Sequence, residues 1–341
     1  MLDDLKFIHQ RDASDALGIA EKQGQQLAQG FEVQQLGSTQ AVSNIVFSGM
    51  GGSALAALMS NTWPAFTVPF EISRNYSCPD YVNESSLFIT SSYSGNTEET
   101  ISALEQAIER RTQVGVITSG GKLQELAARH NLPFVLLPTG LQPRYASLYS
   151  FKALVTLLDA FGVTNGAAQE LASKQTFLAK SVESWKPDVP TSANQAKQLA
   201  QEIVGKAPVL YAGPLMTPAA YKWKISMNEN AKNLAWWNAF PEFNHNEFLG
   251  WTSHPVDKPY RPILLTSPLE LPRVQRRFEV SKKLLSGRWP DPITLEPQGN
   301  DALEQMLWFI ALGDFTSLYL ALLNNQDPTP VDLIERFKKE L

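Results

Sequence analysis

Short apolar runs recurring between helical stretches restrict the fold of this 341-residue chain more than any other feature. Asn44-Ile45-Val46-Phe47, Leu87-Phe88-Ile89-Thr90, Val114-Gly115-Val116-Ile117 and Phe134-Val135-Leu136-Leu137 each read as a strand that is apolar on both faces. Such strands must be covered on both sides, which is the condition of a parallel sheet between helix layers. Helical stretches at about 54–60, 97–111 and 123–130 supply the covering. This alternation predicts a doubly wound α/β domain.

A long helical region from about 149 to 199 follows, with a break expected where Pro187 and Pro190 lie close together. The strand pattern then resumes at Val209-Leu210-Tyr211-Ala212, Pro262-Ile263-Leu264-Leu265 and Ile293-Thr294-Leu295. Helices are expected near 218–234, 270–286, 301–324 and 331–340, and the first 40 residues also read as helical. The second half repeats the architecture of the first without repeating its sequence. The expected division is residues 1–160 and 161–341, two doubly wound parallel-sheet subdomains with helices on both faces, in keeping with the length.

Composition narrows the function classes. Hydrophobic residues make up 43% and charged residues 18%, enough apolar content for two cores. A formal net charge of −5 argues against a nucleic-acid partner, since that binding relies on Lys and Arg neutralising phosphates. A small phosphate can still be held by backbone N–H groups. The lone Cys78 allows neither an internal disulfide nor a cysteine metal site and suits a reducing compartment. The first residues lack the features of a signal peptide, and no run approaches the ~18 consecutive apolar residues of a bilayer span. A cytoplasmic protein with no membrane partner is expected.

Two loops carry candidate chemistry. Ser48-Gly49-Met50-Gly51-Gly52-Ser53 joins a strand to a helix; glycines allow close backbone approach, and a helix start offers N–H groups to an anion. The spacing misses the dinucleotide fingerprint and lacks the lysine of a P-loop, so taken alone it also fits a plain tight turn. Thr90-Ser91-Ser92-Tyr93-Ser94-Gly95-Asn96-Thr97-Glu98-Glu99 also follows a strand and opens a helix. An N-cap accounts for one of its hydroxyls, not for Ser92, Ser94 and Thr97 together. Hydroxyls and helix amides at this sheet edge can surround a phosphate without a metal.

Together, Gly49-Met50-Gly51-Gly52-Ser53 and Ser92-Tyr93-Ser94-Gly95-Asn96-Thr97 resemble the sugar isomerase (SIS) domain. The resemblance implies phosphate-binding roles for Gly52, Ser53, Ser92, Ser94 and Thr97. Asn228-Glu229-Asn230-Ala231-Lys232, then Phe243-Asn244-His245-Asn246-Glu247, narrow it to the bifunctional phosphoglucose/phosphomannose isomerases. Thr139-Gly140-Leu141-Gln142-Pro143-Arg144, Gly313-Asp314-Phe315 and Asp327-Pro328-Thr329-Pro330 extend it over nearly the whole chain.

That family implies a flavodoxin-like pair of subdomains and a metal-free interconversion of glucose 6-phosphate, and mannose 6-phosphate, with fructose 6-phosphate. The chemistry needs a base that carries a proton between adjacent carbons, for which a carboxylate serves; Glu229 matches the family's base. His245 suits proton exchange at the ring oxygen, because imidazole titrates near neutrality. Arg144 matches the positive group for the enediolate. The family's C-terminal lysine corresponds to Lys338 or Lys339, with Lys338 preferred, and Thr329 is implied in accepting both C2 epimers. Each residue also has a plainer reading: Glu229 as a solvated helix partner, His245 as a loop histidine, Arg144 as a surface residue, Lys338 as part of a terminal charge run.

Scattered histidines predict no metal, and no cofactor is expected. The expected partner is a hexose phosphate, with a homodimer of composite active sites implied because the family's histidine comes from the neighbouring subunit. Two other readings share the phosphate loops: a non-catalytic SIS-domain regulator, which needs neither Glu229 nor His245, and an isomerase of another phosphosugar.

Overall fold

A computed structural model describes residues 1–340. The chain opens with three short helices, α1 (Leu5–Arg11), α2 (Ala16–Glu21) and α3 (Gln23–Ala28). It then forms two compact units, one of Gly24–Thr176 and one of Met1–Gln23 together with the chain from Phe177 onward.

In the Gly24–Thr176 unit, the strands are β1 (Asn44–Gly49), β2 (Phe70–Ser73), β3 (Ser86–Ser92), β4 (Gln113–Thr118) and β5 (Phe134–Leu136). All pair in parallel in the order β2-β1-β3-β4-β5, with Ser48 opposite Thr90 and Thr90 opposite Val116. Helices α4 (Leu55–Met59), α5 (Glu98–Glu109), α6 (Gly121–His130), α7 (Ser147–Ala160) and α8 (Ala167–Ser173) connect or follow them. Every residue of the central strand β3 is buried. The edge strand β2 exposes Glu71 and half-exposes Phe70 and Ile72, so it lacks the apolar run that announces its neighbours, and no strand is expected there from the sequence.

The division between the units falls after residue 176, not at 160, and Met1–Gln23, expected with the first subdomain, belongs with the second. Helix α8 packs on α7, and the buried Lys152 of α7 bonds the Ala168 carbonyl of α8, so α8 stays with the first sheet.

The second unit continues with α9 (Gln175–Val182) and α10 (Gln195–Ile203). The break expected at Pro187 and Pro190 lies between them. There the buried Lys197 ammonium donates to the carbonyls of Pro187 and Val189, both at 2.8 Å. The second sheet has β6 (Ala207–Ala212), β7 (Trp236–Ala239), β8 (Tyr260–Leu265) and β9 (Ile293–Leu295), again all parallel, in the order β7-β6-β8-β9. Its helices are α11 (Thr217–Glu229), α12 (Glu247–Gly250), α13 (Pro272–Leu284), α14 (Ala302–Leu323) and α15 (Asp332–Glu340). Both sheets are doubly wound, as the alternation predicts.

Helix α14 is apolar all round because it is the core helix of its unit, packed on α2, α10 and α11. By length and composition it could cross a bilayer, although Gln305, Asp314, Thr316 and Ser317 break any continuous apolar run, and nearly all of it is buried in protein.

Candidate active site

In the first sheet, β1 and β3 are neighbours whose connections leave in opposite directions. That topological switch point is where open α/β sheets bind ligands, beyond the C-terminal ends of the strands. The two loops singled out in the sequence follow these two strands. After β1, Gly51–Ala54 makes a single 3-10 turn before α4. The Ser53 hydroxyl accepts the Tyr93 N–H at 3.0 Å, which ties the loops together.

In the second loop, the Ser92 hydroxyl lies 2.8 Å from that of Thr97 and 3.5 Å from that of Ser94, and accepts the Gly95 N–H at 3.1 Å. Thr97 is the N-cap residue of α5, yet its side chain makes no capping bond. Its hydroxyl faces Ser92 instead, so capping does not account for it. The first amides of α5 have no helical acceptors, and they stand beside this cluster.

Gly52 fixes a third segment. A Cβ there would lie 3.0 Å from the Arg144 nitrogen and 3.0 Å from the Pro143 carbonyl carbon. The 143–144 backbone therefore packs where only glycine fits. Arg144 itself is buried, its guanidinium 4.5 Å above the Tyr145 ring, so it is not the surface residue its sequence position allows. Gly52→Ala is expected to push the two segments apart and raise KM for a phosphosugar about tenfold, equivalent to about 1.4 kcal/mol of binding, measured by steady-state kinetics with circular dichroism as the folding control.

The second sheet has the same switch point, between β6 and β8. There the chain fills the edge itself. The buried Glu270 carboxylate, just after β8, accepts the Leu215 N–H at 2.8 Å ahead of α11. A Cβ on Gly213 would come within 2.4 Å of that carboxylate. Burial raises the Glu270 pKa, and the backbone N–H groups of Leu215 and Met216 draw it back down.

Helix α11 ends at Glu229. Its position is set by buried polar bonds to α14. Lys222 pairs with Asp314, Ser226 donates to the same carboxylate at 2.8 Å, and Gln23 donates to its other oxygen at 2.8 Å. One residue beyond the helix, Asn230 donates to Ser317 at 2.9 Å.

Half-buried Glu229 lines a cleft of about 610 Å³ together with Asn228, Lys232, Asp327, Pro330 and Ile334. Lys232, at φ +50°, donates to the carbonyls of Asp327 at 2.6 Å and Pro328 at 3.2 Å. It thereby tethers the segment leading into α15 across from Glu229. Nothing in the spacing around Lys232 points to this role; only the loop-to-loop contact shows it. Thr329 lies on the tethered segment, its N–H bonded to Asp327 at 2.9 Å.

The other residues singled out lie outside this cleft lining. His245 is exposed at the end of a 3-10 turn, Glu242–His245. Lys338 is exposed on α15 and paired with Glu335 at 2.8 Å; Lys339 is exposed as well. The structure thus gathers Gly52, Ser53, Ser92, Ser94, Thr97 and the Arg144 backbone in one unit, and Glu229 with the Thr329 segment in the other. Among the described residues, no group of three or more His, Cys, Asp or Glu side chains is placed to hold a metal ion.

Hydroxyl-bearing loops at such a switch point, in a chain that carries a second sheet of the same winding, are the features of the SIS class of proteins, and the comparisons with known proteins place the chain there. The model of the bacterial phospho-glucose isomerase C-terminal SIS domain matches residues 192–341. The bifunctional phosphoglucose/phosphomannose isomerase of Aquifex aeolicus is 36% identical over 300 residues, covering 87% of this chain and 90% of its own. A D-glucosamine-6-phosphate 4-epimerase of Sulfolobus acidocaldarius is 32% identical over 224 residues, 65% of this chain and 68% of its own. The crystal structure of a glucose-6-phosphate isomerase like protein from Thermus thermophilus shares the fold at a TM-score of 0.69, with 20% identity over 100% of this chain and 99% of that one. This chain belongs to the bifunctional phosphoglucose/phosphomannose isomerase family.

Proposed function

We propose that this protein interconverts glucose 6-phosphate and mannose 6-phosphate with fructose 6-phosphate. Family membership supports the reading, and the observation that carries it is Glu229, a half-buried carboxylate lining a substrate-sized cleft at the end of a helix. A phosphosugar sensor has no use for a base there. In the proposed reaction Ser53, Ser92, Ser94, Thr97 and the Gly52 backbone hold the phosphate. His245, with Lys338, moves the proton that opens the ring. Glu229 takes the proton from C2 and returns it to C1 through a cis-enediol, whose anion Arg144 stabilises. Glucose and mannose 6-phosphates differ only at C2 and give the same enediol, so one site can serve both; the Thr329 segment is where that tolerance belongs.

The expected assembly is a cytoplasmic homodimer in glycolysis and gluconeogenesis. The exposed apolar side chains of α15, Leu333, Ile334 and Phe337, support an association surface. Enzyme treated with EDTA should convert both aldoses to fructose 6-phosphate. Activity on neither, or only after zinc is added, sinks the reading. The epimerase relative favours a second reading, an amino-sugar phosphate as substrate, so glucosamine 6-phosphate belongs in the same assay; turnover of it alone would favour the epimerase.

A further inference from the structure

His245 stands on an exposed turn, and such a turn does not by itself hold an imidazole to the ~0.5 Å that proton transfer demands. The residues on either side of it are fastened instead. Upstream, Phe243 is buried against Tyr211 and Phe240, with ring centroids 4.5 and 5.1 Å apart. Asn244 donates to the Ser281 hydroxyl at 2.9 Å and accepts from Arg277 at 3.1 Å. Downstream, both carboxylate oxygens of Glu247 are engaged. One accepts the Tyr211 hydroxyl from β6, and the other accepts the Asn238 amide from β7 at 2.7 Å. The Tyr211 hydroxyl accepts in turn from the Trp251 indole at 2.8 Å. Burial, and then the Glu247 charge, push the Tyr211 pKa far up, so this hydroxyl stays protonated and remains a donor.

We infer that Glu247 is a positioning residue for His245: its carboxylate clamps the turn to two strands of the sheet and so fixes where the imidazole can reach. The inference rests on the reading of His245 as the ring-opening group. Two variants test it without emptying the core. Tyr211→Phe keeps the ring and deletes the hydroxyl; Glu247→Gln keeps the shape and deletes the charge. His245→Ala is measured beside them.

Each clamp variant is expected to lower kcat about ten- to a hundredfold, as small misplacement of a catalytic group does, with KM for glucose 6-phosphate little changed. Each should also flatten the limb of the kcat–pH profile that disappears in His245→Ala. If His245→Ala turns over like the parent, both the inference and the reading beneath it fail. If His245→Ala is slow while both clamp variants keep the parent's kcat and pH limb, the inference alone is overturned. A loss accounted for by unfolded protein, with kcat per folded enzyme unchanged, also overturns it.

Discussion

Glu229→Gln will lower kcat on glucose 6-phosphate at least ~100-fold, the lower range for loss of a general base, and will leave KM near the parent value. The amide keeps the size of the side chain and the polar rim of the cleft, so substrate should still dock. What it lacks is an oxygen that can take a proton from carbon. The measurement is steady-state turnover together with solvent exchange of the C2 hydrogen, because exchange and net isomerisation both pass through the enediol. A variant that retains turnover and exchange removes Glu229 from the role. A variant that loses net turnover but still exchanges the C2 hydrogen assigns Glu229 to a later step.

The largest stability loss is expected where the middle of α11 meets α14. Asp314→Ala leaves the Lys222 ammonium, only 2% exposed, with the Ser226 hydroxyl and no counter-charge. Removing one partner of a buried ion pair costs about 3–5 kcal/mol, because the other is left as an uncompensated charge. Chemical denaturation should show that loss. Lys222→Met in the same chain should recover much of it, since an apolar pair of similar volume can match a buried ion pair. A loss under ~1 kcal/mol, within the range of exposed pairs, would mean that water reaches the pair. Because the same carboxylate anchors Ser226, one helical turn from Glu229, Asp314→Ala should also slow catalysis in whatever fraction stays folded.

Much of this molecule was legible in its sequence. The strands around Ile45, Leu87, Val114, Leu210 and Leu264 are apolar on both faces, and a strand with no polar face has to be covered on both sides. Two of the four edge strands carry no such pattern. Phe70–Ser73 and Trp236–Ala239 each have one face or end in contact with solvent, and their mixed residues carry no such signature. The limit of the first unit near residue 176 was legible only to within a helix, since the packing of α8 on α7 joins segments that composition does not distinguish, and the placement of Met1–Gln23 with the second sheet was not legible at all.

The functional loops divide in the same way. Glycine and hydroxyl residues after β1 and β3 stand out because backbone geometry and helix amides constrain them locally. That Thr97 turns to Ser92 rather than capping α5, that Lys232 lashes the segment opposite Glu229, and that Glu247 holds the His245 turn are contacts between residues 5, 95 and 9 or more positions apart. By itself the sequence determined the winding of both sheets and which glycine- and hydroxyl-rich loops follow β1 and β3, because hydrophobic period and turn chemistry act over a few residues. Only the tertiary structure decided how Glu229, the buried Asp314 pair and the Glu247 clamp are held. Those depend on side chains brought together by packing, and spacing along the chain does not encode their distance.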